Sequence, residues 1–140
     1  MPNADASYSF GNASYRWGYI WSNNGTIQTS DQNDKNSIVE LDSTLALNVV
    51  NDLKPSSYKW NNDPTNSTSF GLIAQDVEST MSKYSVPAYE GLLYVPASGS
   101  TDSYGINYSN VIPFLIGAIQ KLTNQVSSLQ NQLNALSPPS

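Results

Sequence analysis

Hydrophobic positions recur at three different spacings along the chain, and each spacing predicts a different element. From Tyr15 to Trp21 the aromatics fall at every second residue, Tyr15, Trp17, Tyr19 and Trp21, which puts all four on one face of a strand. Asn23-Asn24-Gly25 follows as a turn and Thr26-Ile27-Gln28 as the returning strand, so the pattern reads as a hairpin with one apolar face. A lone hairpin is marginal in water, so this face is expected to be buried, on the following domain or on copies of itself.

From Ser37 the period becomes helical. Leu45, Val49 and Leu53 form one stripe of a core-facing helix that Pro55 ends, because the residue before a proline avoids the helical region. Two N-terminal caps compete: Ser37 with Glu40 has capping-box spacing, and Asp42 is the alternative. Ser56-Ser57-Tyr58-Lys59-Trp60 reads as a strand, 61–69 as a polar loop, and Phe70-Gly71-Leu72-Ile73-Ala74 as a short buried strand. Gln75-Asp76-Val77-Glu78 opens a second short helix with its acids near the positive end of the dipole. Leu92–Val95 and Tyr104–Asn107 look like a pair of strands around the turn Pro-Ala-Ser-Gly-Ser-Thr-Asp-Ser.

The C-terminal spacing alternates three and four without a break through Ile112, Leu115, Ile119, Leu122, Val126, Leu129, Leu133 and Leu136. More than three heptads of a strict two-in-seven seam predict a coiled coil rather than a solitary amphipathic helix, whose apolar stripe is normally wider. The flanking positions hold Thr123, Gln125, Gln130 and Gln132, so salt bridges do not select the partner. β-Branched residues at the first core position with leucine at the second lean toward a parallel dimer. Pro113 suits the first turn, with Ser109 as the expected cap.

Composition narrows the chemistry. With no cysteine and no histidine in 140 residues, Ser-His-Asp and Cys-His catalysis, thiolate zinc sites and disulfides are excluded. Six basic against eleven acidic side chains, a net charge of -5, have the wrong sign for nucleic acid or a polybasic membrane anchor. No apolar run approaches the ~20 residues of a membrane span, and the first ten residues lack the regions of a signal peptide. A lean 39% hydrophobic content, with Ser, Asn and Thr filling the gaps, points to a core that neighbouring chains complete.

The remaining nucleophiles are Ser, Thr, Lys and carboxylates, and one stretch, Thr29 to Ile38, combines them. Ser30 and Lys35 have the composition of a Ser-Lys dyad, in which a neutral lysine takes the hydroxyl proton. On an α-helix, residues five apart point about 140° away from each other, so the pair meets only across a turn or between chains. Lowering a lysine from about 10.4 to about 7.5 costs on the order of 4 kcal/mol. Desolvation favours that shift, whereas Asp31 and Asp34 oppose it unless they point away or are otherwise committed. A calcium loop starting at Asp31 fails, because Asn36 replaces the required glycine and Asp42 the bidentate glutamate. No metal and no cofactor is expected.

Taken in order, these features resemble the intramolecular chaperone auto-processing domain at the C-terminus of phage tail spikes and tail fibres, including that of endosialidase. The resemblance runs over residues 15–136 and is carried most specifically by Ser30-Asp31-x-x-x-Lys35 and by Gly71-Leu72-Ile73-Ala74-Gln75-Asp76-Val77-Glu78. It implies a small α+β domain of short strands and helices followed by a coiled-coil helix, assembled as a homotrimer, which overrides the dimer leaning. The implied division is 1–29 as the end of the fibre stalk, 30–110 as the chaperone domain and 111–140 as the trimeric helix. The implied partners are two further copies and the upstream stalk, with no nucleic acid and no membrane. The implied activity is a single self-cleavage, with Ser30 as nucleophile, Lys35 as base and Thr29-Ser30-Asp31 as the cleavage site, either bond of which is a candidate. The precursor would be made in the host cytoplasm for the virion tail, and the cleaved domain released. Asp34 stands where relatives commonly carry an apolar residue before the lysine, and fewer basic residues follow Glu78. The rival expectation is a non-cleaving trimerisation or tip domain that stays attached and contacts the host surface.

Overall fold

A computed structural model of the chain describes residues 3, 7–12, 14–17, 19–23, 30–86 and 91–136. Helix α1 (Ser43–Asp52) is followed by strands β1 (Ser56–Tyr58) and β2 (Ser69–Gly71), helix α2 (Ala74–Lys83), strands β3 (Leu93–Tyr94) and β4 (Gly105–Ile106), and helix α3 (Ile112–Leu136). Two short antiparallel ladders result: Ser57 faces Phe70 in the first, and Leu93 faces Ile106 in the second. The described residues thus form the mixed helix-and-strand fold expected, with a long C-terminal helix.

The two caps left open resolve in favour of Asp42, whose carboxylate accepts from the backbone N–H groups of Thr44 and Leu45. Ser37 instead takes a positive φ of 51° in the lead-in. At the start of α3 the cap is Asn107, not Ser109: its side chain accepts from Ser109 N–H and opens a 3-10 turn, Tyr108–Val111, that runs into the helix. The reason is local, because an Asn side chain reaches the backbone two residues on and so opens the turn two positions earlier.

The core is small. Val49 of α1, Val77 and Met81 of α2, Leu92, Leu93 and Val111 are buried together, with Leu45, Leu53, Leu72, Ile106 and Phe114 packed around them. Helix α1 lies along α3 so closely that a Cβ on Gly117 would stand 2.8 Å from the Cβ of Ala46. The C-terminal ends of α1 and α2 are tied where Asp52 accepts from Lys83 (2.5 Å) and from the Tyr84 hydroxyl (2.8 Å). These donors, Lys83 first, hold the Asp52 carboxyl below its ordinary range, and the carboxylate raises Lys83 in return.

Three apolar stretches lie uncovered among the described residues of the single chain. Among the described residues of 7–23 there is no strand, and Tyr15, Trp17, Tyr19 and Trp21 are 61–94% exposed. A strand needs a ladder partner, and no described residue forms a second strand beside them. The returning strand Thr26–Gln28 lies outside the described residues. Phe70, read as part of a buried strand, points outward and is 81% exposed, because β1 and β2 make only a two-stranded sheet. The third concerns α3: beyond Lys121 all of its described residues are exposed, the heptad positions included. That segment projects roughly 22 Å, at 1.5 Å per residue, with an uncovered apolar seam.

Candidate functional site

Ser30 and Lys35 meet within one chain. Asp31 caps a single 3-10 turn, Gln32–Asp34, by accepting from the N–H of Asn33 (2.8 Å) and from its side-chain amide (3.0 Å). Asp34 and Lys35 donate back to the carbonyls of Asp31 and Gln32, closing the turn, and the backbone is extended on either side. Reversal over so few residues brings the lysine back over the serine: Lys35 Nζ lies 2.5 Å from Ser30 Oγ and 3.4 Å from the Ser30 carbonyl oxygen. This is the turn that a spacing of five requires. Thr29, the other side of the candidate cleavage site, lies outside the described residues.

The acids that threatened this pairing are disposed differently. Asp31 is committed to the turn, and among the described residues the ion pairs are Lys54–Asp76 and Lys83–Asp52, neither of them involving Lys35. Chemically, an amine at this distance can take the serine proton when neutral, or polarise the adjacent carbonyl when charged. Both side chains are exposed to water, as are Ile38 and Val39 immediately after them. Among the described residues no three His, Cys, Asp or Glu side chains gather as a metal site, and no described helix is long and apolar enough to cross a membrane.

Two further constellations carry no local sequence signature. Tyr108, at the entry to α3, accepts from Leu72 N–H through its hydroxyl at 2.8 Å, locking the end of β2 to the base of the long helix. Asp102, in the β3–β4 loop, accepts from the hydroxyls of Ser14 (2.6 Å) and Tyr94 (2.9 Å). Those bonds, Ser14 first, lower the Asp102 carboxyl, and the carboxylate raises Tyr94. The loop was legible as a turn, but a contact spanning 88 positions leaves no periodic trace.

Residues 30–85 match the model of a peptidase family described as "Chaperone of endosialidase", which bears out the resemblance over the stretch holding Ser30, Lys35 and the Gly71–Glu78 segment. The fold is similar to a solved structure of the carboxy-terminal domain of the bacteriophage T5 L-shaped tail fibre with its intramolecular chaperone domain. That likeness has a TM-score of 0.70 at 19% identity and takes in 96% of this chain but 38% of the other, so the chain spans under two fifths of that fibre piece. No curated protein matches.

Proposed function

We propose that this chain, whose residues 30–85 carry the chaperone-of-endosialidase signature, is the C-terminal intramolecular chaperone of a viral tail fibre or spike and cuts itself beside Ser30. The observation that carries the reading is Lys35 Nζ at 2.5 Å from Ser30 Oγ across a turn capped by Asp31. In this scheme Lys35 accepts the Ser30 proton as Oγ attacks a backbone carbonyl. Attack on the Thr29 carbonyl passes through a five-membered ring. The Ser30 nitrogen leaves with the proton returned by Lys35, and water hydrolyses the resulting ester. Attack on the Ser30 carbonyl would form a four-membered ring within one chain, so scission of the Ser30–Asp31 bond calls for a different arrangement, such as attack by a serine of a neighbouring copy.

The uncovered seam supports assembly. A projecting helical segment of about 15 residues is marginal alone in water, and Leu129 at 63% exposure and its neighbours gain burial only against other copies. Assembly as a homotrimer would register three chains for the upstream stalk. On this reading 1–29 is the stalk end, 30–110 the chaperone and 111–140 the trimeric helix. The precursor is made in the host cytoplasm, and the cut domain leaves the virion part. Cover from neighbouring copies over Ile38 and Val39 would also take water away from Lys35.

Mass spectrometry tests cleavage. The expected result is loss of the intact 15.2 kDa species and a fragment beginning at Ser30 or Asp31, absent in Ser30→Ala and Lys35→Ala. Persistence of the intact chain after folding refutes autoproteolysis. Light scattering is expected to give three times the chain mass and a lower mass for Leu129→Asp; a monomeric parent refutes the chaperone role. The water-exposed Ser-Lys pair and the exposed Trp17, Tyr19 and Trp21 favour a second reading, an attached tip domain contacting the host surface, if the chain trimerises without cutting.

A further inference from the structure

The described residues of 9–16 do not trail freely away from the domain. Asn12 makes a tight turn there: its side-chain oxygen accepts from Ser14 N–H (2.9 Å) and Tyr15 N–H (2.7 Å), while its own N–H donates to the Tyr15 carbonyl (3.0 Å). Phe10 and Trp17 stack across the base of that turn with ring centroids 4.8 Å apart. The turn therefore has a shape of its own, and its tip carries Ser14. The Ser14 hydroxyl donates to Asp102 Oδ1 at 2.6 Å, and the other oxygen of the same carboxylate takes the Tyr94 hydroxyl. Asp102 is itself braced by its backbone N–H on Ser100 Oγ, and Tyr94 is fixed in the β3–β4 ladder. A cavity of about 660 Å³ lies between the turn and the ladder, lined on one side by Ser9, Tyr15 and Arg16 and on the other by Tyr94, Tyr104 and Gly105.

We infer that the β3–β4 loop is a docking surface for the chain segment upstream of Ser30, with Asp102 as the clamp and Ser14 as the group it grips. Both ends of the 15 residues between Ser14 and Ser30 are then anchored to one domain, one end at Asp102 and the other at Lys35. An anchored stretch explores far fewer conformations than a free arm. A further consequence rests on the cleavage reading proposed above. Scission beside Ser30 breaks the covalent link but not the clamp, and three such clamps on an assembled fibre act together to delay departure of the released domain.

Arg16 provides the readout. It is the chain's single arginine and follows the gripped serine by two positions, so an arginine-specific endoproteinase cuts the whole chain at one bond, Arg16–Trp17. The assay uses the full chain with Ser30→Ala, so a protein that never cuts itself still gives an answer about the clamp, and the two readings fail separately. Proteases cut locally opened segments, so release of the clamp reads as faster cutting. Ser14→Ala and Asp102→Ala are each expected to raise the rate roughly three- to tenfold, as for loss of one charge-assisted hydrogen bond, and the double variant to be no faster than the faster single. Unchanged rates in both variants, or a rise with Asp102→Ala but not with Ser14→Ala, overturn the inference, as does additivity in the double variant. Far-UV circular dichroism checks folding. Should Asp102→Ala not fold, Ser14→Ala decides alone, since Ser14 lies outside the core.

Discussion

Gly117 is the position where one methyl group should disturb the fold most legibly. It is buried on α3 against α1, and an added Cβ would sit 2.8 Å from the Cβ of Ala46, a fully buried atom fixed directly to the backbone. Ordinary carbon–carbon contact is about 3.5–4.0 Å, so no rotamer change relieves the overlap and the helices must part by roughly 1 Å. Overpacking of this kind costs about 1–3 kcal/mol. Replacing glycine by alanine inside a helix contributes about 1 kcal/mol in the other direction. Gly117→Ala is therefore expected to lose about 0–2 kcal/mol, although helix propensity alone favours it. Combining it with Ala46→Gly moves the methyl from one helix to the other and removes the clash, so the double variant should return close to the parent. Urea unfolding followed by far-UV circular dichroism, at one fixed chain concentration so that the proposed assembly would weigh equally on every variant, reads all four corners of the cycle. A coupling of about 1–3 kcal/mol is expected. Gly117→Ala stabilised by its full propensity gain, with additive effects in the double variant, would refute the close crossing.

Tyr108→Phe removes the acceptor for Leu72 N–H and is expected to cost about 1 kcal/mol, seen as a lower urea midpoint at unchanged slope; an unchanged midpoint counts against the lock between β2 and α3. Stability should be level at neutral pH and fall in acid. Asp42, Asp52, Asp63 and Asp102 all have folded-state pKa values lowered by hydrogen bonds, so the unfolded chain binds protons first, and their contribution is lost as pH drops from about 4 through the folded values. Lys83, raised by Asp52, behaves oppositely: its contribution is complete below about 10.4 and disappears as pH rises through the higher folded value. Thermal melts of the parent and of Asp52→Asn from neutral to acid pH check this, since the variant should start lower and fall less steeply; equal slopes would reject the role given to Asp52.

Elements that depend on neighbours in sequence are readable from the sequence itself. Asp42 announces α1 because its carboxylate bonds to the N–H groups two and three residues on, and Pro55 announces its end. The alternation of three and four from Ile112 to Leu136 likewise reports a helix of 25 residues. What escaped depends on what lies across space. The alternation Tyr15-Trp17-Tyr19-Trp21 encodes a preference for a strand, but a ladder and a covering surface must come from elsewhere, and one chain brings neither to the described residues. The same holds for Phe70, apolar and outward, and for the seam of α3. Each apolar stripe in the sequence is a demand for burial, and in this chain several of those demands point away from its own core. The Asp102 contact failed to announce itself for a different reason, since a side chain in a Ser-rich turn looks like every other acceptor until its distant donors arrive.

The Ser-Lys pair shows how one residue answers two opposing requirements. A spacing of five calls for a sharp reversal, and a reversal needs an acceptor for the N–H groups it exposes. Asp31 is that acceptor, and Asn33 takes up its charge through backbone and side chain together. The carboxylate that by position alone would pair with the lysine is turned into the structure that delivers the lysine to the serine. Asp34 stays inside the turn as a backbone donor to Asp31 and forms no ion pair with Lys35. In a chain without histidine, an amine free of competing carboxylates beside a hydroxyl is the arrangement in which lysine can serve as a base. Its remaining obstacle is water, which in the single chain reaches both groups freely. On the assembly proposed above, apolar cover from Ile38, Val39 and the stripe on α3 would come where copies meet, which would tie the chemistry proposed for this turn to assembly. If that proposal holds, a chain kept from assembling would keep its lysine hydrated and its backbone whole.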